Sequence, residues 1–315
     1  MSGAPILVFG APFCGTSLLA QMLGSHPDLA AMPELRLGLA DEVDELLEIF
    51  AISQAPIGDG LRRAVAEHLT GGQHARGIAA ADAWLEAQRG RTTAALLTDL
   101  AAAVAPRRLV IPDSEAALRP HELLRWQRLA PTATLVHTLR HPQLHGRVWS
   151  RWLSSQLFVP ADYRDHSVSP APAVVEPQIP WLRCNRNLER WWALQPHVRL
   201  RMETLEAAPQ ATLAALVMAV GVAAVPAAVL ETMLEAGASP FAGLGPSDAP
   251  RGLEMEVLDP VLEGLQLPPV PPTLDDAVSW RADGRGLDPA VSADARDYGY
   301  APDTAASPDR ATLKP

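Results

Sequence analysis

Pro5-Ile-Leu-Val-Phe9 runs into Gly10-Ala-Pro-Phe-Cys-Gly-Thr-Ser17 and then into Leu18-Leu-Ala-Gln-Met-Leu23. The five-residue apolar run, bounded by glycine, reads as a buried strand, and the stretch after Ser17 reads as a helix. The turn between them has the spacing of a phosphate-binding loop, G-x-x-x-x-G-K-[ST], with Thr16 in the lysine slot. Such a turn aims backbone N–H groups and the positive end of a helix dipole at an anion. A nucleoside triphosphatase uses that lysine on the β and γ phosphates. A loop lacking it suits a nucleotide with a smaller anionic load. The spacing by itself also fits a strand–turn–helix corner whose glycines serve only tight packing.

After the helix come His26-Pro27-Asp28 and then Met32-Pro33-Glu34-Leu35-Arg36. The composite resembles the sulfotransferase family that uses 3′-phosphoadenosine-5′-phosphosulfate (PAPS), in its bacterial and tyrosylprotein-type branches. The family opening typically reads G-x-P-R-S-G-T-[ST]-L-L, then H-P, then P-E or E-E. Gly10, Pro12, Gly15, Thr16, Ser17, Leu18, Leu19, His26, Pro27, Pro33 and Glu34 fall at matching places. The resemblance implies a three-layer P-loop-type α/β fold, PAPS as co-substrate and no metal.

The rest of the chain carries strand candidates at Pro5 to Phe9, Arg108 to Ile111, Thr134 to Leu139 and Val198 to Met202. Helical patterns separate them, which predicts a central, mostly parallel sheet flanked by helices. Between the first two lies a helical stretch, about 40–105, read as a cap insertion over the sheet's carboxyl edge, where open α/β folds place their ligands. Within it Val43, Leu46, Leu47 and Phe50 recur at amphipathic spacing. The insertion is expected to continue through helices at Leu61 to His68, Ala81 to Arg89 and Thr92 to Ala105. Residues 159–180 read as a lid loop, Gly237 to Arg251 as a second loop and Leu265 to Thr273 as an extended proline-rich crossing. One domain over 1–302 is expected, with 303–315 a disordered tail.

Thr134-Leu-Val-His-Thr-Leu-Arg140-His-Pro142 is a strand that delivers an arginine to the same edge. Arginine suits a phosphate because its planar fork donates two hydrogen bonds and stays charged. The resemblance makes Arg140 the 3′-phosphate ligand. The family's partner serine stands eight residues on, where this chain has Val148; the nearest hydroxyl is Ser150, followed by Arg151. Pro12, Phe13, Cys14, Gly15, Thr16 and Ser17 would hold the 5′ end of the nucleotide. Val198-Arg-Leu-Arg-Met-Glu-Thr-Leu205 looks like the family's strand ending in Y-E-x-L, with Met202 for the tyrosine. Ser279-Trp280 and Asp297-Tyr-Gly-Tyr300 resemble the segment that closes over the nucleotide and the terminal L-G-Y.

By the same resemblance Glu34 is the catalytic base, which would need burial to raise its pKa toward neutrality. Two departures stand out. The family's P-R-S-G or P-K-S-G carries a cation near the sulfuryl, where this chain has Phe13. A second family lysine, in K-[ST]-P or K-D-P, meets Pro112-Asp113-Ser114. Loss of one such donor typically slows a reaction by about a hundredfold or more. Arg36, Arg107 and Arg147 are the candidate replacements. Cys14 lacks the C-x-x-x-x-x-R spacing of a cysteine phosphatase and reads as a small loop residue. His137, His141 and His145 share a spacing of four, but the first lies on a strand, which argues against a zinc site.

Composition limits the alternatives. The chain has 315 residues, is 48% hydrophobic and 20% charged, and carries a formal net charge of −10. That charge argues against a nucleic-acid or anionic-membrane surface, so any cationic site must be local. Two cysteines fit a reducing cytoplasm. No leader peptide and no run of about 18 apolar residues is visible. High Ala, Pro and Arg usage fits a bacterial, GC-rich origin. The expected function is sulfuryl transfer from PAPS to a hydroxyl or amine of a small-molecule, peptide or carrier-bound acceptor. A catalytically reduced nucleotide-binding homologue and a P-loop kinase are the alternatives; the oligomeric state, a homodimer included, is left open.

Overall fold

The computed structural model describes residues 3–53, 57–154, 164–165, 174–193, 195, 197–235, 239–241 and 273–300. Five strands form the central sheet: β1 (Ile6–Gly10), β2 (Leu29–Ala31), β3 (Arg108–Asp113), β4 (Thr134–Leu139) and, later in the chain, β7 (His197–Arg201). Their order across the sheet is β2-β3-β1-β4-β7, and every pairing is parallel. Parallel pairing brings all five carboxyl ends to one edge. At its centre Gly10 is paired with Thr138, so the loop after β1 and the residues after β4 leave the sheet side by side.

Alternation along the strands divides the core between two faces. Leu7, Phe9, Leu109, Ile111 and Leu135 point into one apolar cluster; Ile6, Val8, Val110, Val136, Val198 and Leu200 point into the other. The second face is covered by α1 (Thr16–Gly24), α10 (Pro209–Ala219) and α11 (Ala227–Leu234). The first is covered by α6 (Pro120–Leu129), α8 (Gln178–Trp192) and the helices between β2 and β3. Those helices are α2 (Val43–Ile52), α3 (Asp59–Leu69), α4 (Ala75–Ala87) and α5 (Thr93–Val104). α5 packs on β3. α3 crosses the carboxyl edge so closely that a Cβ on Gly60 would stand 2.1 Å from the carbonyl oxygen of Glu34.

The structure departs from the sequence reading in several places. β2 was not expected. The last sheet strand ends at Arg201, and Met202 opens a short helix, α9 (Met202–Ala207). α4 starts at Ala75, six residues before the expected Ala81. Residues 178–180, assigned to the lid loop, are the first turn of α8. Elsewhere in that segment the described residues form an antiparallel pair, β5 (Arg164–Asp165) with β6 (Val174–Val175). Most of 237–251, all of 265–272 and the tail 303–315 lie outside the described residues. Toward the C-terminus, α12 (Pro289–Asp297) joins Leu274 and Tyr300 in a third apolar cluster around Trp181. Among the described residues no helix is long and apolar enough to cross a membrane.

Candidate active site

The loop after β1 is held by close approaches that exclude larger residues. A Cβ on Gly10 would stand 2.3 Å from Thr138 Oγ1. Gly15 adopts φ 79°, a left-handed conformation glycine takes without strain, and lies against Met202, whose methyl would stand 2.7 Å from an added Cβ. Met202, at the family's tyrosine place, therefore supports the loop from beneath. Gly15 is the N-cap of α1, and no side chain caps that end. The first amides of a helix have no intrahelical partner, so they face the space an anion would fill.

Each loop residue has a distinct setting. Phe13 has φ 67° and packs edge-on against Trp149, 5.4 Å between ring centres, with Trp152 at 5.5 Å. Both tryptophans belong to α7 (Pro142–Ser154). An aromatic group thus stands where the family pattern puts a cation. Cys14 is fully buried, and burial pushes its thiol up to about 12, so it remains a neutral loop residue. The Pro12 carbonyl accepts a hydrogen bond from His145 Nε2 at 3.0 Å, which ties α7 to the loop. Burial lowers His145 to about 3, so the ring is neutral and Nε2 carries the donated hydrogen.

Arg140 follows β4 and is buried at 6% exposure. Its Nη2 donates to Glu206 Oε1 at 3.1 Å, while Nε and Nη1 are buried with no partner among the described residues. Its backbone is fixed from two sides: Trp181 Nε1 donates to the Arg140 carbonyl at 2.8 Å, and the next amide, of His141, donates to Glu203 Oε1 at 2.7 Å. The three histidines serve different partners. His137 bonds Asn185, His141 accepts the Gln143 amide and His145 holds Pro12. Among the described residues no group of three His, Cys, Asp or Glu is placed to hold a metal.

Helical spacing sorts α7. His145, Trp149 and Trp152 face the loop; Gly146 and, one turn on, Ser150 lie off that face. Val148, at the family's serine place, is buried, and Arg151 is exposed. Gly146 meets the Trp280 ring so closely that a Cβ would stand 2.1 Å from it. Trp280 Nε1 in turn donates to Glu176 Oε1 at 2.9 Å. By helical phase Ser150 shares the face of α7 on which Gly146 meets Trp280, and Ser279 is exposed.

On the other side of the loop lies Glu34, 1% exposed. Its Oε1 accepts the Ser114 amide at 2.9 Å, and Oε2 stands 2.6 Å from Arg36 Nη2. Arg36 reaches this position with a left-handed backbone, φ 55°, and its Nη1 is 3.3 Å from Asp113 Oδ1. Asp113 also accepts the amides of Glu115 and Ala116 and the indole N–H of Trp126, which commits it to the fold. Burial raises Glu34 to about 7; Arg36 opposes that shift and Asp113 adds to it. Of the three candidate cations, Arg36 sits beside Glu34 and Arg147 lies half-buried on α7. Arg107 precedes β3, at the amino edge of the sheet, and is exposed; its candidacy ends there.

A second carboxyl nearby, Glu122, is also raised to about 7, by burial and by the charge of Asp113, against Arg119. A raised carboxyl binds its proton more tightly folded than unfolded. Its stabilising contribution is complete below the ordinary value of 4.5 and is lost as pH climbs through about 7. Thermal midpoints should accordingly fall between about pH 5 and about pH 8. Glu122→Gln, which keeps an oxygen for Arg119, should flatten that fall in a calorimetric pH series. An unchanged slope would mean that Glu122 does not titrate there.

Comparison with known proteins fits this geometry. A profile of the sulfotransferase family matches residues 5–226, more than half of the chain. Two solved structures share its architecture. The sulfotransferase domain from the curacin biosynthetic pathway is 18% identical with TM-score 0.63, over 96% of this chain and 99% of that one. The sulfotransferase domain of the Synechococcus PCC 7002 olefin synthase is 19% identical with TM-score 0.64, over 96% and 97%. No curated protein sequence matches the chain significantly. A loop lacking the triphosphatase lysine, a buried arginine beside it, the parallel sheet that joins them and the profile match agree: the chain belongs to the sulfotransferase family.

Proposed function

We propose that the protein transfers a sulfuryl group from PAPS to a hydroxyl or amine of a small-molecule, peptide or carrier-bound acceptor. The observation that carries this reading is the guanidinium of Arg140, buried beside the phosphate-type loop with Nε and Nη1 unpartnered among the described residues. A buried charge with unfilled donors is strongly unfavourable unless an anion completes it. The uncapped start of α1 supplies the second anion-binding element. PAPS carries a phosphate on the ribose 3′ position and a phosphosulfate on the 5′ position, so these two elements fit its two ends. When bound, PAPS supplies the activated sulfuryl group.

The chain's own residues then have definite roles. Gly15, Thr16 and Ser17 offer amides to the 5′ end, and Arg140 offers its fork to the 3′ end. Glu34, poised near neutrality, takes the acceptor's proton. Arg36, 2.6 Å from Glu34, is the cation retained in this region, since position 13 holds an aromatic ring. One structural relative comes from the curacin biosynthetic pathway and the other from an olefin synthase, which directs the acceptor search toward natural-product and carrier-bound intermediates. We assign one domain to 1–302, a cytoplasmic location, no metal, no nucleic-acid partner and no membrane span.

One observation favours a second reading, nucleotide binding with little turnover: position 13, where the family pattern puts a cation, holds the Phe13 ring, engaged with Trp149 and Trp152. Incubation with PAPS and a panel of alcohols, phenols, amines and carrier-bound hydroxy acids separates the two. Release of adenosine 3′,5′-bisphosphate that depends on acceptor supports transfer. Tight bisphosphate binding without release supports the second reading. Preferential binding of ATP with magnesium would overturn both in favour of a kinase.

A further inference from the structure

Tyr300, three residues after the end of α12, closes a chain of contacts onto the Arg140 turn. Its hydroxyl donates to Glu203 Oε2 at 3.0 Å, while the other oxygen of Glu203 accepts the His141 amide at 2.7 Å. The same carboxylate thus bridges the C-terminal segment to the peptide that follows Arg140. The ring of Tyr300 stands edge-on to His141 at 5.2 Å and lies under the Arg201 guanidinium at 5.5 Å. It also belongs to the apolar cluster of Trp181, whose indole holds the Arg140 carbonyl. Tyr300 is 7% exposed, and burial with the adjacent Glu203 charge raises its phenol well above the ordinary value, so it acts as a neutral donor.

Glu203 shares α9 with Glu206, which holds Nη2 of Arg140, and with Met202, which supports Gly15. One short helix therefore touches both anion-binding elements. A six-residue helix has little rigidity of its own. Here it is braced from outside by the Tyr300 hydroxyl and by Arg201, whose Nη1 donates to the Gly299 carbonyl.

We infer that Tyr300 and Glu203 are a positioning pair that holds the Arg140 turn, so that the C-terminal segment sets the protein's selectivity for a 3′-phosphate. This rests on the assignment of Arg140 to that phosphate. Neither residue touches the nucleotide; both act through the backbone of residues 140 and 141. Loss of the Tyr300 hydroxyl leaves Glu203 free to swing away from His141, and the guanidinium then samples directions that no longer meet the phosphate.

The test is the ratio of two calorimetric affinities, for adenosine 3′,5′-bisphosphate and for adenosine 5′-phosphate. Tyr300→Phe keeps both ring contacts and should lower that ratio by about tenfold, the scale of one hydrogen bond to a charged group, with adenosine 5′-phosphate binding unchanged. Glu203→Gln retains an oxygen for His141 and an amide that can pair with the phenol, so it should recover most of the ratio lost in Glu203→Ala. Equal weakening of both nucleotides in Tyr300→Phe would overturn the pair, since a general loosening of the fold acts on both alike. A ratio lost in Arg140→Ala but intact in Tyr300→Phe would also overturn the pair while leaving the phosphate site standing. A wild-type protein without preference would remove the site and the pair together.

Discussion

Replacing Arg140 with alanine is expected to weaken binding of adenosine 3′,5′-bisphosphate by about a hundredfold or more, the value of two charge-assisted hydrogen bonds. The effect originates in solvation. Nε and Nη1 of Arg140 are buried without partners among the described residues, and only Nη2 is engaged, by Glu206. The fork edges of a guanidinium are Nε/Nη2 and Nη1/Nη2, so a phosphate would accept from one open donor together with the remaining hydrogen of Nη2. Arg140→Lys keeps the charge but not the fork, so it should fall between wild type and alanine. Binding of adenosine 5′-phosphate should change little in either variant. The measurement is isothermal calorimetry at fixed salt, with thermal midpoints taken to show that the variants are folded. Unchanged bisphosphate affinity in Arg140→Ala would place the 3′-phosphate elsewhere.

The second large effect concerns Glu34. Glu34→Gln should lower kcat by about two to four orders of magnitude, the usual contribution of a general base, while bisphosphate affinity stays within about twofold of wild type, since no lost hydrogen bond reaches the nucleotide. Glutamine preserves an acceptor for the Ser114 amide, so the local fold should persist. The pH profile supplies an independent signature. With Glu34 near 7, the wild-type rate should rise through neutrality as the carboxylate forms and then level off. The residual activity of Glu34→Gln should lack that rise. Full activity of the variant would assign the proton to another group or to the acceptor itself.

Much of the fold could be read from residue patterns because its signals are local. Pro5 to Phe9, Arg108 to Ile111 and Thr134 to Leu139 are short, mainly apolar runs bounded by turn residues, and each holds a strand. β2 escaped notice because Leu29-Ala-Ala31 is only three residues long and has no β-branched or aromatic member. α9 is hidden for a related reason: Met202-Glu-Thr-Leu205 continues a strand pattern, yet the strand ends at Arg201 and Met202 packs beneath Gly15.

The site divides along the same line. The loop spacing, the arginine after a strand and the glutamate after His26-Pro27 are contiguous motifs, and the structure places the first two on neighbouring strands. What the sequence could not display were contacts between distant segments. Ser114 meets Glu34 across 80 positions, and His145 meets Pro12 across 133. Arg107 looked as suitable as Arg36 until the strand direction put it at the opposite edge. Ser150 looked like a displaced copy of the family serine, yet helical phase puts it on the face that meets Trp280. Phe13 carried a visible departure, but its engagement with two tryptophans of α7 required the fold.

The most direct test is a crystal structure of the protein soaked with adenosine 3′,5′-bisphosphate. The 5′-phosphate is expected on the amides of Gly15, Thr16 and Ser17 and the 3′-phosphate on one edge of the Arg140 guanidinium, with Glu34 facing the space beyond the 5′ end. A nucleotide seated away from the loop, or a 3′-phosphate that leaves the Arg140 guanidinium untouched, would contradict it.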